Sequence, residues 1–148
     1  MVVKELNHLL IKKELSMETI TINTTRHEEI RNMTTIVQAV AVQSGWRHGA
    51  VMLFCPHTTC GLTINEGADP AVQRDLMKFF REIAPHRHGW EHCEGNTDAH
   101  IRASILGSSL LIPIENGQLC LGTWQSIYLY EGDGPRQRKI WLQNLQSC

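Results

Sequence analysis

The fold of this chain is decided by residues 50–66, which read AVMLFCPHTTCGLTINE. The first part of this stretch is apolar on both faces and lies between Gly49 and Pro56, which predicts a buried interior strand. Alternation of apolar and polar residues over Leu62–Asn65 predicts a second short strand that ends at Glu66. The polar segment between the two strands is therefore expected at a strand end.

Polar side chains follow the interior strand directly, at the point where its packing is expected to stop. They are His57, Thr58 and Thr59, and Glu66 closes the stretch. An imidazole, hydroxyls and a carboxylate in such a connection are typical of a functional site. The alternative is that these groups only satisfy backbone donors and acceptors at a strand terminus. The stretch alone leaves both interpretations open.

Length, charge and cysteine content limit the class of protein. The 148 residues, 42% of them hydrophobic, are enough for one compact domain with a hydrophobic core. The 14 basic and 15 acidic side chains nearly cancel, so no overall field favours nucleic acid or a membrane as a partner. No apolar run approaches the roughly 20 residues of a membrane span. Five cysteines without a CxxC pair favour reduced thiols and a cytoplasmic protein.

Periodicity and turn residues predict the remaining elements. Residues 1–16 are expected to be an extension, partly helical or disordered, and residues 17–148 to be the domain. The expected strands lie around Ile20 and Ile22 and at 110–114, 124–130 and 139–143, with a hairpin turn at Asn116-Gly117. The expected helices follow a Thr34 cap, an Asp69 cap with Pro70, and a Thr97 or Asp98 cap before 99–106. Phe79 and Phe80 of the second helix are expected in the core.

Three histidines are candidate metal ligands: His57 at the strand end, His92 in a loop and His100 in the first turn of a helix. Zinc and similar ions need neutral imidazoles from separate elements, and the positive end of a helix dipole favours the neutral form of His100. Asn96 lies midway between His92 and His100 and can orient a ligand or bind a substrate. The alternative is that His92 and His100 face solvent or cap the loop, since this spacing is a weak signal.

Basic residues near the end of the chain form a second candidate site. Arg136 and Arg138 follow the Gly134-Pro135 turn, where backbone amides and a guanidinium can hold a phosphate or a carboxylate. Gln125 lies in the strand before this turn. A solvated basic turn is the alternative interpretation.

Several of these motifs occur together and in order. They are HTT at 57–59, LTINE at 62–66, ADP at 68–70, EGN at 94–96, AH at 99–100, LGSS at 106–109, NGQL at 116–119, LGTWQ at 121–125 and GPR at 134–136. On these residues the chain resembles the YjbQ family, also called UPF0047 or secondary thiamine-phosphate synthases. The resemblance covers residues 17–143. Residues 1–16 have no counterpart in the family pattern, and Cys60 stands where a small residue such as alanine or serine is common.

The resemblance implies an α+β fold, namely a single-domain β-sandwich with flanking helices. It further implies a homotrimer with the site near a subunit boundary, and a strand within residues 25–33. The implied activity joins hydroxymethylpyrimidine diphosphate to thiazole phosphate, a small phosphorylated substrate, and releases pyrophosphate. This synthase reaction can also be a secondary activity of the family.

Each candidate residue has an expected role in this chemistry. Glu66 is expected to act as base, Asn96 and Gln125 to position the substrate, Arg136 to bind phosphate, and His57, His92 and His100 to hold a divalent metal. Zinc is the expected ion, whereas magnesium, which prefers oxygen ligands, is expected only as the partner of a diphosphate. A metal-bound water beside a carboxylate base equally fits a hydrolase of a small phosphate or carbonyl compound. A non-catalytic trimer that binds a metal or a small ligand is the further alternative.

Overall fold

The computed structural model describes residues 17–87 and 89–146. Within these ranges the chain forms eight strands and three helices. In chain order they are β1 (Met17–Asn23), β2 (Glu29–Asn32), α1 (Thr34–Gln43), β3 (Gly49–Phe54), β4 (Cys60–Glu66), α2 (Pro70–Ile83), α3 (Thr97–Leu106), β5 (Ser109–Glu115), β6 (Gln118–Leu119), β7 (Gln125–Glu131) and β8 (Gln137–Leu145). The expectation for residues 1–16 lies outside the described residues.

The strands form two antiparallel sheets. One sheet has the order β1-β8-β3-β5-β6 and the other the order β2-β7-β4. Both sheets and α1 contribute to one hydrophobic core, in which Leu53 of β3, Ile127 of β7 and Val37 of α1 are completely buried. The chain is therefore a mixed α+β single domain, as the sequence predicted. Among the described residues, no helix has the length and apolar character needed to cross a membrane.

Residues 50–66 form both strands that the sequence predicted. β3 lies between β8 and β5 in the five-stranded sheet, and its Val51 and Leu53 are completely buried. β4 belongs to the other sheet, where it pairs with β7. The chain therefore passes from one sheet to the other within residues 55–59, and this connection carries His57.

The second helix begins as its sequence predicts. The Asp69 carboxylate accepts a hydrogen bond from the Ala71 N–H at 2.8 Å, and Pro70 occupies the first turn. Its aromatic residues divide in a way that the sequence did not predict, because Phe80 is 5% exposed and Phe79 is 52% exposed. Phe79 is thus not a core residue of this chain.

The other two helices start differently from the prediction. Thr34 is the first helical residue of α1 and not its cap, because its hydroxyl accepts a hydrogen bond from the Ile127 N–H of β7 at 2.9 Å. At α3 the capping position is Asn96, so the expected caps Thr97 and Asp98 were wrong. At α1, the local sequence predicts that the Thr34 hydroxyl caps the helix, but in the folded protein this hydroxyl bonds to β7 instead.

Two further predictions are confirmed. Asn116 and Gly117 adopt positive φ values of 52° and 82° and join β5 to β6, as a tight hairpin turn requires. The strand implied within residues 25–33 is β2, which pairs with β7 at the edge of its sheet.

Candidate functional site

A cleft of about 500 Å³ lies beside the connection between the two sheets. Its lining residues are His57, Thr58, Cys60, His100, Ala103, Ser104, Gly107 and Ser108. Two of the three histidines singled out from the sequence therefore share one cleft, although one comes from the β3–β4 connection and the other from α3.

Helix α3 forms one side of this cleft. His100, Ala103 and Ser104 share a face of the helix because of their spacing, and Gly107 directly follows the last helical residue. Two glycines allow the helix to lie close to the sheet. A Cβ on Gly132 would lie 2.9 Å from the Cβ of Ala99, and a Cβ on Gly61 would lie 3.0 Å from the Cβ of Leu106. Both contacts are too short for side chains, so glycine is needed at these positions for the close approach.

A buried arginine holds α3 in place from its opposite side. Arg102 is 1% exposed and donates hydrogen bonds to the Ala84 carbonyl oxygen at 2.7 and 3.1 Å and to the Tyr130 hydroxyl at 3.2 Å. Its guanidinium also pairs with the carboxylate of Glu28. These contacts fix the helix and thereby the direction of His100.

The imidazole of His57 is held by the backbone of β8. Its Nε2 accepts a hydrogen bond from the Lys139 N–H at 2.9 Å, so the neutral ring carries its proton on Nδ1. Burial and the nearby Arg138 guanidinium lower the pKa of His57 below its ordinary value of 6.5. The ring is therefore neutral at pH 7, which is the form that can bind a metal.

The third histidine lies against the second. The ring centres of His92 and His100 are 5.2 Å apart, in an edge-to-face arrangement. Glu94 was not assigned a role from the sequence, yet its Oε2 lies 3.6 Å from Nε2 of His92. Its position two residues after His92 is the only sequence signal that points to Glu94. The structure thus brings His57, His92 and His100 to one region, together with a carboxylate.

The three imidazoles are suitable ligands for a zinc-type ion, but their present positions do not enclose one. Two imidazoles on one tetrahedral ion have ring centres about 5 Å apart, given a metal–nitrogen bond of about 2.0 Å, and the His92–His100 pair has this separation. However, within the described ranges no three histidine, cysteine or carboxylate side chains are placed to enclose an ion. His57 would first have to exchange its hydrogen bond from Lys139 for the metal.

Asn96 and Arg136 meet at a third residue, Asp133. The Asp133 carboxylate accepts a hydrogen bond from the Asn96 amide at 2.9 Å and one from the Arg136 guanidinium at 2.8 Å. Burial alone would raise the pKa of Asp133, but the hydrogen bonds from Asn96 and Arg136 outweigh burial and lower it. The Oδ1 atom of Asn96 is buried and has no hydrogen-bond partner in the described part of the chain. Asn96 and Arg136, which are both expected to contact the substrate, are therefore neighbours.

Arg138 has a different environment from Arg136. It is 4% exposed and donates hydrogen bonds to the Glu131 carboxylate at 2.7 Å and to the Thr59 hydroxyl at 2.8 Å. Burial would raise the pKa of Glu131, but the hydrogen bonds from Arg138 and from the Asp133 N–H lower it. The expectation that Arg138 holds a phosphate is wrong for this structure, because its guanidinium is occupied by a buried carboxylate.

Glu66 and Gln125 lie at the other end of the sheet. They are register partners across β4 and β7, whereas Cys60 at the opposite end of β4 is paired with Glu131. The length of β4 separates Glu66 from the cleft by roughly 20 Å. The Glu66 carboxylate accepts hydrogen bonds from the N–H groups of Ala68 and Asp69, at 2.7 and 3.2 Å. One chain therefore does not bring Glu66 and Gln125 to the histidines, and their catalytic roles stay predictions.

Two free thiols lie beneath the cleft, Cys55 and Cys60. The contact with Cys60 lowers the pKa of Cys55, against the effect of burial. The same contact, together with burial, raises the pKa of Cys60. The pair has one thiol that ionises more readily than the other.

Comparison with known proteins identifies relatives over most of the chain. Residues 18–147 match the family model described as UPF0047 protein YjbQ-like. The UPF0047 protein YugU of Bacillus subtilis is 44% identical over 128 residues, covering 86% of this chain and 97% of that protein. A UPF0047 protein of Methanocaldococcus jannaschii is 40% identical over 122 residues, covering 82% of this chain and 88% of that protein.

Solved structures show the same fold. The crystal structure of an uncharacterised YjbQ/UPF0047 protein from Clostridium acetobutylicum has a TM-score of 0.83 and 44% identity, covering 86% of this chain and 99% of that chain. A protein of unknown function from Sulfolobus solfataricus P2 has a TM-score of 0.84 and 30% identity, covering 90% of this chain and 99% of that chain.

Proposed function

The chain belongs to the UPF0047 family, whose model matches residues 18–147, and from this membership we propose that it is a transferase of the thiamine-phosphate synthase type. It joins hydroxymethylpyrimidine diphosphate to thiazole phosphate in the cytoplasm. The observation that supports this proposal is the gathering of imidazoles and a guanidinium at one end of the molecule. His57 and His100 line the cleft there. Arg136 follows the Gly134-Pro135 turn, close to the connection that carries His57.

The short connections between these groups support a single site. The Gly132 N–H donates a hydrogen bond to the carbonyl oxygen of Thr59 at 3.0 Å, so Asp133 lies next to the connection that carries His57. Asn96 is the residue at the start of α3, one turn before His100. The Asp133 carboxylate holds Asn96 and Arg136 on the same side.

The reaction breaks a carbon–oxygen bond to the diphosphate and forms a carbon–nitrogen bond to the thiazole. Negative charge develops on the departing pyrophosphate, which fixed donors and cations stabilise. Arg136 has a side chain that is 54% exposed, so its guanidinium can bind a phosphate while Asp133 orients it. The Oδ1 atom of Asn96, which has no hydrogen-bond partner among residues 17–87 and 89–146, would accept a hydrogen bond from an amino group of the pyrimidine.

A divalent metal of the zinc type would be held by His57, His92 and His100, with magnesium accompanying the diphosphate. When bound, such an ion supplies a Lewis acid. Around it, the residues of this chain orient the substrate: Asp133 fixes Arg136, and burial together with the Arg138 charge favours the neutral form of the His57 ring.

Glu94 favours a second candidate, a metal-dependent hydrolase of a small phosphate or carbonyl compound. A hydrolase needs a base within reach of the attacking water. Glu66 is about 20 Å from the cleft within one chain, whereas Glu94 is exposed and adjacent to His92. In this alternative, Glu94 takes the role that the sequence assigned to Glu66. A trimer that only binds a metal or small ligand is the non-catalytic alternative.

Substitution of Arg136 tests the transferase. In Arg136→Ala, kcat/KM for thiamine phosphate formation from the two precursors is expected to fall about 10- to 100-fold, the loss of one charge-assisted hydrogen bond to phosphate. The measurement is product formation by chromatography. Arg47→Ala is the matched control, since Arg47 is exposed and lies at the turn before β3. Hydrolysis of the precursors without formation of thiamine phosphate would contradict the transferase and favour the hydrolase. Binding of the precursors without any turnover would favour the non-catalytic binding role.

We also propose that the working unit is a homotrimer in which each subunit is a β-sandwich. Glu66 and Gln125 lie at one end of β4 and the histidines at the other. A site that contains both sets must therefore be completed by a neighbouring subunit. Head-to-tail contacts in a closed ring place opposite ends of neighbouring subunits together.

Mixed oligomers test this arrangement. Glu66→Gln and His100→Ala are each expected to be inactive alone, whereas co-expression of the two with different affinity tags is expected to restore about a quarter of the sites. The reason is that some boundaries then combine an intact histidine end with an intact Glu66 end. Light scattering should give three times the chain mass of 16.8 kDa. Full activity of Glu66→Gln alone, or no recovery on mixing, would contradict a site shared between subunits.

A further inference from the structure

A pair of cysteines brackets the connection that carries His57. Cys55 directly follows β3 in the five-stranded sheet, and Cys60 is the first residue of β4 in the three-stranded sheet. Both side chains are 1% exposed. Cys60 nevertheless lines the cleft, so a small molecule in the cleft can reach Cys60. Only four residues, 56–59, lie between the two thiols.

The Cys55 side chain already contacts Cys60. The Sγ atom of Cys55 lies 3.5 Å from the carbonyl oxygen of Cys60. His57 lies two residues after Cys55 and three residues before Cys60. The two cysteines and the proposed metal ligand His57 therefore belong to the same short connection between β3 and β4.

We propose that Cys55 and Cys60 are a redox-sensitive dithiol that closes to a disulfide and thereby controls the position of His57. A peroxide is the oxidant. One thiol attacks the peroxide to give a sulfenic acid and one water. The second thiol then displaces water from that sulfenic acid and forms the sulfur–sulfur bond. Two thiols have lost two electrons and two protons, and hydrogen peroxide has become two molecules of water.

Closure would change the segment that holds His57. The disulfide joins β3 to β4 directly and closes a six-residue ring around residues 56–59. The ring restricts the backbone torsions of the connection. Ligand binding needs a defined position for His57. The oxidised protein is therefore expected to bind a metal in the cleft at least about tenfold more weakly. This part of the inference rests on the proposed function.

The test uses the full chain with the other three cysteines replaced, Cys93→Ser, Cys120→Ser and Cys148→Ser. After treatment with hydrogen peroxide, intact mass should fall by about 2 Da, for two hydrogens, and a thiol reductant should restore it. Matched Cys60→Ala protein should show no such loss. If the mass is unchanged under conditions that oxidise the exposed Cys93 and Cys120 of the unmodified chain, the dithiol proposal is overturned.

Zinc titration of the reduced and oxidised forms tests the control of His57. A Kd raised at least about tenfold on oxidation is the expected result. A disulfide that leaves the Kd unchanged would overturn the control. If the reduced protein binds no zinc, the proposed metal site fails. The mass measurement then still decides whether the dithiol exists, because it needs no ligand.

Discussion

His100→Ala is expected to abolish metal retention while the fold stays intact. His100 is the central ligand of the proposed set, since it lines the cleft with His57 and its ring centre is 5.2 Å from that of His92. Loss of a direct ligand should weaken zinc binding by more than about 100-fold, beyond what loss of an orienting neighbour costs. The helix itself loses no anchoring contact, because Arg102 holds it from the other side.

The measurement is zinc per chain by elemental analysis after dialysis, with circular dichroism as the check on folding. His48→Ala is the matched control. His48 is an exposed histidine next to β3 and is not among the residues that line the cleft, so its replacement should leave zinc retention unchanged. Full zinc occupancy in His100→Ala would rule out the proposed ligand set.

Arg138→Met is expected to destabilise the protein by about 3–5 kcal/mol, the usual cost of leaving a buried carboxylate without its partner. Glu131 is completely buried, and Arg138 supplies hydrogen bonds to both of its carboxylate oxygens. The substitution also removes the donor to the Thr59 hydroxyl, which lies in the connection to the site. Urea unfolding at pH 7 measures the loss.

Arg136→Met serves as the control for this experiment. Its pair with Asp133 is half-exposed, and exposed pairs contribute about 0–1 kcal/mol. A similar loss for both variants would contradict the distinction between a buried and an exposed pair.

The effect of Arg138→Met should also depend on pH. The pKa of Glu131 in the folded protein lies below its ordinary value of 4.5. The pair therefore contributes its full stability above pH 4.5, and the contribution is lost as the pH falls through the lowered pKa. The difference in unfolding free energy between the two proteins should become smaller in acid. A difference that stays constant from pH 7 to below the pKa of Glu131 would show that charge pairing is not its cause.

Local patterns determined much of this structure. Uninterrupted apolar residues predicted β3, the Asp69 cap predicted the start of α2, and Asn116-Gly117 predicted the hairpin. Each of these features depends on residues that are close together in the sequence. Residue type and spacing also made the histidines and Asn96 candidates, although spacing alone did not show that His57 and His100 share a cleft.

The tertiary structure alone decided which of these residues are neighbours. Arg136 and Arg138 look alike in the sequence, yet the first lies in an exposed turn and the second pairs with buried Glu131 after β8 has begun. Likewise, Glu66 is close to His57 in the sequence but lies at the opposite end of β4 in space. The physical reason is that periodicity and caps act over a few residues, whereas strand pairing and the burial of charge depend on elements far apart in the chain.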